Sequence, residues 1–435
     1  MRMWHTVFFN ALWLYGSLIL LLYGMATRQP SLTLLATLLL LTAGVSWLAN
    51  RWSLHAVTYR RTLSATRTFR DETITLSLEL VNLKLLPLAW IEVEDECSDR
   101  LEALDRRATP GSDPTVLLLP YLTSLRPYER VAWTATLRCP QRGVFAFGPT
   151  TLRSGDIFGF HRRQERLPIY DTLIVYPELL SVAQWDLPPR GVLGDLRAPH
   201  ALIPDPQRTV GTRDYRPDDS FRHIHWKATA RAGALQVRVF EPTTISQLGI
   251  FLNLDTPQQA WRALDSIEFE PLVSAAATLA MRALDAGFAA GIYSNRLLVG
   301  SNRTLEVAPG NGPTQGLRVL ESLAKLSPFA TVDFARHLHR TTRSFPWGST
   351  LVIITATMTP ALAATLETLR AAGHRPVLIA TTAVAPPPVR GLVTHRLPSA
   401  IFAAEARRTA RAARHTAPPP TADPPLPTRS PAHAD

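Results

Sequence analysis

Two uninterrupted apolar runs open the chain. Val7 to Met25 and Ser31 to Ala49 each extend over nineteen residues without a charged side chain, and Gln29-Pro30 lies in the turn between them. At about 1.5 Å of rise per residue, a helix of this length crosses a hydrocarbon core of about 30 Å. The pattern predicts a transmembrane helical hairpin over residues 1–52.

Arginines beside these runs predict the orientation of the hairpin. Arg28 lies between the runs, whereas the second run is followed by Arg51, Arg60, Arg61, Arg67 and Arg70. Cytoplasmic flanks of membrane helices carry an excess of basic residues, so we expect both ends of the hairpin in the cytoplasm. If the first run were a signal peptide, the second run would return the chain to the same side, and the soluble part would still be cytoplasmic.

Alternation replaces the continuous apolar pattern after residue 52. Apolar and polar residues alternate from Thr73 to Leu80 and from Val131 to Arg138, and Trp90 to Glu94 is a further candidate. A period of two residues is typical of strands with one buried face. Several strands and few helices predict a β-sandwich over residues 53–180.

Strand-like and helix-like segments alternate from Leu248 onwards. Predicted strands are Leu248–Leu254, Ala290–Tyr293, Thr350–Thr355 and Pro376–Thr381, and predicted helices are Pro271–Ala286, Thr314–Leu326 and Ala361–Ala372. This order predicts a parallel sheet with helices on both faces, within a segment of residues 181–383. Residues 384–435 are rich in Pro, Ala and Arg and are expected to be a disordered tail, apart from a basic helix at Ser399 to Arg414.

Composition narrows the class of protein. The chain has 435 residues, 46% of them apolar, enough for two or three domains with their own cores. Its net charge of +11 permits attraction to nucleic acid or to an anionic membrane. Because the arginines are scattered and the densest basic run, Arg407 to Arg414, lies in the tail, we expect lipid rather than nucleic acid as a partner. Cys97 and Cys139 lack a CxxC partner and are expected to be free buried thiols.

The segment from Gly211 to Arg231, GTRDYRPDDSFRHIHWKATAR, is the most specific part of the sequence. It resembles the central motif of the domain of unknown function 58 family at Tyr215, Asp219, Arg222, Trp226, Lys227 and Arg231. A second segment, from Arg142-Gly143 to Asp156-Ile157-Phe158-Gly159, resembles the family's Arg-Gly and Asp-x-Phe-Gly signature. The glycines of the second segment are expected in tight turns and its Phe residues in the core.

This resemblance carries expectations of its own. It implies a protein of the bacterial inner membrane whose parallel sheet belongs to a von Willebrand factor A-like domain. It also implies a non-catalytic accessory of a MoxR-type AAA+ ATPase in the maturation of other protein complexes, with a transglutaminase-like membrane protein as a further partner. Asp218 departs from the family pattern, in which Gly is usual, although Asp tolerates a positive-φ turn better than most residues.

Asp255 is the candidate for a metal site. It follows a predicted strand at the carboxyl edge of the sheet, where von Willebrand factor A domains hold Mg²⁺ with an Asp-x-Ser-x-Ser run. The positions two and four further on are Pro257 and Gln259, so both hydroxyl ligands are missing. We therefore expect no cofactor and a capping role for Asp255, with a Mg²⁺-dependent adhesion-type receptor as the alternative.

Histidines near the motif raise two further hypotheses. On a strand from Arg222 to Lys227, His223 and His225 would share a face, with His200 upstream, but a fourth metal ligand at recognisable spacing is missing. A hydrolase built on Asp219 and His225 would need these side chains to meet in a pocket. The sequence contains no phosphate-loop, dinucleotide or nucleophile-elbow motif, so we expect a protein that is not an enzyme.

Two interpretations of the motif stay open. In the default, a network of carboxylates and guanidinium groups locks a turn onto the sheet, with Trp226 in the core; its members are Asp218, Asp219, Arg213, Arg216, Arg222 and Arg231. In the other, part of the cluster faces outward as a docking surface, because Arg and Trp often anchor interfaces. Alanine substitution separates them: loss of folded protein indicates the lock, whereas normal folding with lost binding indicates docking.

Overall fold

Strand character differs between two compact units of the chain, Met1–Tyr176 with Ala412–Asp435 and Pro177–Arg411. In the first unit, strands such as Thr73–Asn82 bury every second residue. In the second unit, strands such as Thr350–Thr355 bury every residue. The first pattern is typical of sheets with one face in a core, and the second of parallel sheets covered on both faces.

A computed structural model of the chain describes residues 3–105, 108–156, 161–180, 204–216, 221, 224–242, 247–255, 266–330, 332–346, 349–381, 392–415 and 428–431. Its helices are α1 Met3–Ala26, α2 Pro30–Trp52, α3 Trp226–Ala232, α4 Ser266–Asp285, α5 Gln315–Ala324, α6 Phe334–Thr342, α7 Pro360–Ala371 and α8 Ser399–His415. Strands of the first unit are β1 Val57–Leu63, β2 Arg67–Phe69, β3 Thr73–Asn82, β4 Leu88–Ser98, β5 Glu102–Ala103, β6 Thr109–Pro110, β7 Val116–Leu125, β8 Glu129–Arg138, β9 Gly143–Phe147, β10 Thr150–Gly155, β11 Arg162–Leu167, β12 Asp171–Tyr176 and β22 Thr428–Pro431. Strands of the second unit are β13 Pro204–Asp214, β14 Gln236–Pro242, β15 Gln247–Asn253, β16 Ala289–Leu298, β17 Thr304–Gly310, β18 Leu326–Ala330, β19 Thr350–Thr355, β20 Arg375–Thr381 and β21 Val393–Leu397.

Helices α1 and α2 form a helical hairpin within residues 1–52, where the sequence predicts a transmembrane one. They pack against each other across a short turn at Thr27, Arg28 and Gln29. Pro30 is the first residue of α2, where a missing N–H costs nothing because that N–H has no helical partner. Among the described residues, α2 is the helix that is long and apolar enough to cross a membrane.

Three sheets form the β domain, by which we mean residues 57–176 with 428–431. Their strand orders are β1-β3-β8-β22 with β5 beside β8, β11-β10-β4-β7-β6, and β2-β12-β9. All three contribute to one hydrophobic core, for example through Leu76, Tyr121 and Leu173. The strand-rich domain predicted from alternation is confirmed, and Cys97 and Cys139 are free and buried in its core.

The α/β domain, residues 247–411, is built on a sheet of order β17-β16-β15-β19-β20-β21, with β18 also beside β16. Strands β16, β15, β19, β20 and β21 are parallel. Residues of α6 and α7 pack with Phe251 and Ile353 in one cluster. The alternate residues Ile250 and Val352 are equally buried, and α4 packs against β15 and β16. Both faces are therefore covered, as the alternation of strands and helices predicted.

This sheet differs from the predicted one at both edges. Strand β16 continues to Leu298, beyond the expected Tyr293, and the antiparallel strands β17 and β18 pair with it. At the other edge, β21 extends the sheet past the boundary expected at residue 383. Helix α8 follows, close to the expected helix Ser399–Arg414, and Arg408 forms an ion pair with Glu178. Residues 384–391, 416–427 and 432–435 of the expected tail lie outside the described residues.

Candidate functional site

The described residues of the motif from Gly211 to Arg231 lie at the end of β13, which pairs with β14, and on the short helix α3 between these strands. Ile224 forms an isolated bridge with Val237, and both side chains are buried. The Tyr215 N–H donates to the Leu235 carbonyl over 2.9 Å, which closes the other side of the connection. The local structure of the motif is therefore a hairpin whose connection contains a helix.

His225 begins helix α3. Its Nδ1 accepts a hydrogen bond from the Ala228 N–H over 3.1 Å, and its own N–H donates to the Gln236 carbonyl over 2.8 Å. Gly233 ends the helix with a φ of 68°, in the left-handed region that glycine adopts without strain. The strand expected from Arg222 to Lys227 is wrong from Trp226 onwards, because a side-chain cap, the alanines of WKATARA and a closing glycine all favour a helix.

The interpretation of the motif as a folding lock places Trp226 in the core. In the structure, Trp226 lies on the surface instead. It is 68% exposed, because it is the first residue of a helix that buries none of its own side chains. Phe221 is 72% exposed, and its ring stacks on Tyr215 with 5.6 Å between the centroids. Lys227 and Arg231 are exposed one helical turn apart. We call Phe221, Trp226, Lys227 and Arg231 the motif surface.

The remaining motif residues are only partly described. Arg213 and Arg216 are exposed, and the Arg213 guanidinium donates to the Asp214 carbonyl over 3.0 Å. Asp218, Asp219, Arg222, His223 and His200 lie outside the described residues. The structure therefore places Tyr215, Phe221 and Trp226 and the basic residues other than Arg222 and His223, while the predicted carboxylate network and the Asp219–His225 pair stay predictions.

Asp255 follows β15 at the carboxyl edge of the sheet, beside the residues that follow β19. This is the point where the strand order reverses, and the crevice at such a point is where open α/β sheets bind ligands. The Asp255 carbonyl accepts from the Thr357 hydroxyl over 3.0 Å, and the Asp255 N–H donates to Asn253 Oδ1 over 3.0 Å. Thr355 Oγ1 accepts from Asn253 and Thr357 and donates to the Thr357 carbonyl. The hydroxyl groups at this edge are thus engaged with the chain itself.

A guanidinium group already lies beside the Asp255 carboxylate. Arg296 Nη2 is 3.3 Å from Asp255 Oδ1, and the Asn295 amide donates to both carboxylate oxygens over 3.2 and 3.1 Å. Both side chains come from β16, and both are buried. Burial lowers the pKa of Arg296, and the charge of Asp255 opposes that shift. Among the described residues, the partners of the Asp255 carboxylate are thus a guanidinium and an amide N–H and not the oxygen ligands that Mg²⁺ prefers.

Sequence reasoning missed the Asn295-Arg296 pair. Its signal was present, since these two polar residues directly follow the apolar strand AAGIYS, yet their proximity to Asp255 depends on the pairing of β15 with β16. The same reasoning placed Asp255 at the correct edge of the sheet and gave it a local capping role. The structure gives Asp255 a partner forty-one positions further along the chain. The segment that it was expected to cap begins at residue 256, outside the described residues, so the capping role stays a prediction.

Asp156, in the second signature, connects the β domain to helix α2. Its Oδ2 accepts from Ser46 Oγ over 2.7 Å and its Oδ1 from the His161 N–H over 2.6 Å. Gly148 has a φ of 93°, and an added Cβ would lie 2.0 Å from the Ile169 carbonyl oxygen, so glycine is required at that turn. Phe145 and Phe147 are buried in the core as predicted, whereas Phe158 lies outside the described residues.

Comparison with known proteins gives one family and one relative. Residues 211–392 match the family model described as "Protein of unknown function DUF58". The uncharacterized protein YeaD of Bacillus subtilis (strain 168) is 27% identical over 217 residues, which is 48% of this chain and 48% of YeaD. The match thus spans about half the length of this curated relative.

Solved structures overlap with the chain over about a quarter of its length. A CARDB domain from Pyrococcus furiosus is 12% identical over 27% of this chain and 91% of its own, with a TM-score of 0.20. A type II cohesin domain from Acetivibrio cellulolyticus is 11% identical over 27% of this chain and 95% of its own, with a TM-score of 0.18. Overlap of this size establishes neither a shared fold nor a shared function. The family match is the informative one: residues 211–392 of this chain are similar to the DUF58 family of proteins of unknown function.

Proposed function

We propose that this protein is a non-catalytic, membrane-anchored adaptor that binds another protein through the motif surface. The observation that carries the proposal is the exposure of Trp226 at 68%, at the start of a helix where it contributes nothing to a core. Phe221 is equally open to solvent, and two cations lie on the same helix as Trp226. Aromatic and arginine side chains are the residue types that most often dominate binding energy at protein interfaces.

Membrane anchoring supplies the location of this adaptor. The length and apolar character of α2 support it, and the exposed leucines along that helix, among them Leu34, Leu38 and Leu41, would face lipid. We extend this to a two-pass anchor in the bacterial inner membrane, with α1 as the first span. The arginines that follow α2 would then hold the β domain and the α/β domain in the cytoplasm.

The partner we propose is a MoxR-type AAA+ ATPase, which the family resemblance implies. Lys227 and Arg231 would meet acidic groups on that ATPase, and Trp226 would enter a pocket. The α/β domain, as a von Willebrand factor A-like domain, would then present the motif surface to the ATPase during maturation of other complexes, with a transglutaminase-like membrane protein as a further partner. A Mg²⁺-dependent receptor is less well supported, because Arg296 neutralises Asp255.

Copurification from the host membrane tests this function. The intact protein, a Trp226→Ala variant and a Val299→Ala control would be purified in parallel, and the bound ATPase identified and then titrated as a purified protein. Val299 is 60% exposed in the same unit but outside the motif, so its substitution removes a similar exposed apolar group. We expect Trp226→Ala to weaken ATPase binding at least about tenfold, as an interface hot spot does.

Folding of each variant decides how a loss of binding is interpreted. Circular dichroism and the thermal transition should match the unmodified protein for both variants, since neither side chain is buried. Recovery of no AAA+ ATPase with the unmodified protein would overturn the proposed partner. Equal binding by Trp226→Ala and Val299→Ala would overturn the motif surface as its site, and unfolding of Trp226→Ala alone would revive the lock interpretation.

A further inference from the structure

Hydrogen bonds join the β domain to the last two turns of α2, the helix that is apolar enough to cross a membrane. Ser46 Oγ donates to Asp156 Oδ2 over 2.7 Å, and both side chains are buried. The Arg163 guanidinium donates to the Arg51 carbonyl over 2.6 Å. Lys84 Nζ donates to the carbonyls of Trp52, Ser53 and His55 just beyond the end of the helix. The attachment therefore extends along α2 from Ser46 to its last residue.

The length of α2 fixes the depth of this attachment. Its 23 residues span about 35 Å, of which the stretch from Ser46 to Trp52 is about 9 Å. The hydrocarbon core of a bilayer is about 30 Å thick, and about 40–45 Å with both headgroup layers. If α2 crosses the bilayer from Pro30, the sixteen residues before Ser46 span about 24 Å of the hydrocarbon core. The end of the helix at Trp52 then lies in the headgroup layer, and so does the part of the β domain around Lys84 that contacts it.

Apolar side chains are exposed at this end of the β domain. Lys84 is held against the end of α2, and its neighbours Leu83 and Leu85 are 46% and 74% exposed. The Tyr128 N–H donates to the Lys84 carbonyl over 3.3 Å, and the Tyr128 side chain is 50% exposed. The Asn82 amide donates to the carbonyls of Leu86 and Arg126, which fixes the two loops to each other.

We propose that the loops 83–87 and 126–128 are seated in the phospholipid headgroup layer, with Leu83, Leu85 and Tyr128 facing the bilayer. This rests on the proposed membrane anchoring. Leucine and tyrosine side chains have the composition of an interfacial site, where apolar groups reach the acyl boundary and the tyrosine hydroxyl stays hydrated. Trp47 and Trp52 on α2 are each 53% exposed, as befits the aromatic belt at the same depth. With these loops in the headgroup layer, the β domain keeps a fixed face toward the membrane.

Phospholipids that carry a fluorescence quencher test whether these loops lie in the headgroup layer. The full-length protein is reconstituted in phosphatidylcholine bilayers for this purpose. Single cysteines at Leu85 and Tyr128 would be labelled with an environment-sensitive fluorophore and exposed to phospholipids that carry a nitroxide near the headgroup. Cys97 and Cys139 can stay in place because both thiols are buried. Leu38 on α2 serves as the probe of anchoring, because it is 55% exposed in the middle of the apolar helix. For this position the nitroxide is carried deep in the acyl chain, at the depth of the bilayer centre.

Leu104 is the matched control within the β domain. It is 54% exposed, and its N–H donates to the Thr136 carbonyl near the far end of β8, roughly 20 Å along the strand from Glu129. We expect quenching at Leu85 and Tyr128 to exceed that at Leu104 at least about threefold, since an interfacial site lies within reach of the quencher. If Leu38 is quenched but Leu85 and Tyr128 are quenched no more than Leu104, the proposed position of the two loops is wrong and membrane anchoring by α2 stands. If Leu38 is not quenched, both membrane anchoring by α2 and the proposed position of the loops are wrong.

Discussion

Arg61 lies inside the β domain with no exposed side-chain area, and its guanidinium contacts two carboxylates and two carbonyls. Nη1 is 2.5 Å from Asp95 Oδ1, and Nε is 2.8 Å from Asp171 Oδ2. Nη2 donates to the carbonyls of Phe147 and Ile169 over 3.2 and 2.9 Å. In the sequence, Arg61 is one of the arginines that predict the orientation of the membrane hairpin. In the structure it joins β1, β4 and the start of β12.

Replacing Arg61 by methionine should strongly destabilise the β domain. Arg61→Met leaves the Asp95 carboxylate buried without its cation, and breaking a buried pair in this way costs about 3–5 kcal/mol. Arg130→Met is the matched control, because Arg130 is half exposed and pairs with Glu79 at the surface; it should cost no more than about 1 kcal/mol. Urea unfolding of the detergent-solubilised protein measures both free energies, and equal losses would contradict the role given to Arg61.

Lys84 should titrate well below an ordinary lysine. Burial, and then the charge of Arg163, lower the pKa of Lys84 to about 8. Between that pH and an ordinary lysine pKa of about 10.4, the unfolded chain binds more protons than the folded protein. The contribution of Lys84 to stability therefore rises with pH across this window and is constant below it.

Carbon NMR of protein labelled at lysine Cε measures this pKa directly, because the chain has only two other lysines, Lys227 and Lys325. The resonance that is lost in Lys84→Arg should have its midpoint near 8, and Arg163→Gln should move that midpoint upward. A midpoint at the ordinary lysine value would contradict the buried placement of Lys84 at the end of α2.

At the scale of elements, sequence reasoning succeeded where periodicity decides the structure. Strands β3 and β8 and helices α4, α5 and α7 all lie within a few residues of their predicted bounds, because their apolar residues recur with a period of two or 3.6. Helix α6 was missed. Its sequence FARHLHRTT has few large apolar residues, and Asp333 starts it by accepting from the Arg336 N–H.

Helix α3 shows why the candidate site was harder to predict than the fold. The alternating apolar and polar residues of HIHWK suggest a strand. Helix α3 has only seven residues, and in a segment this short the period of the apolar residues does not distinguish a strand from a helix. The outcome depends on the His225 cap and on Gly233, which are single local contacts. Likewise, the Arg296–Asp255 and Ser46–Asp156 pairs join residues 41 and 110 positions apart, and nothing in a single sequence specifies such distant contacts.

Removing the His225 cap should loosen α3. His225→Ala deletes the acceptor of the Ala228 N–H, a change that typically costs about 1 kcal/mol, whereas His225→Asn supplies another capping oxygen. Trypsin cleaves after Lys227 and Arg231, both exposed on this helix. Cleavage there should be about fivefold faster in His225→Ala than in the unmodified protein, because proteolysis follows the population of the open form. Equal cleavage rates in His225→Ala and His225→Asn would show that the side chain does not hold the helix.

At the scale of the whole molecule, the anchor and the motif surface make different demands on the chain. The proposed anchor depends on a rigid connection, and polar contacts between α2 and the β domain supply it, among them those made by Ser46, Arg51 and Trp52. The motif surface needs exposure, and the structure supplies that through a short helix with no buried side chain. An adaptor of the kind proposed would keep a fixed face toward the lipid, and the exposed aromatic and basic side chains of the motif surface would be available to its partner.

The proposed two-pass topology is testable through the cysteines of this chain. Burial raises the thiol pKa of Cys97 and of Cys139 to about 12, so both native thiols should give a low background with a maleimide that does not cross membranes. Cysteine at the exposed Arg28 should be labelled in cells whose inner membrane is intact, and cysteine at Val299 only after lysis. Those two results establish that α2 crosses with the later domains inside. An epitope placed before Met1 then examines α1: protection from external protease indicates a second span, and digestion in intact cells would contradict the two-pass anchor while leaving α2 in place.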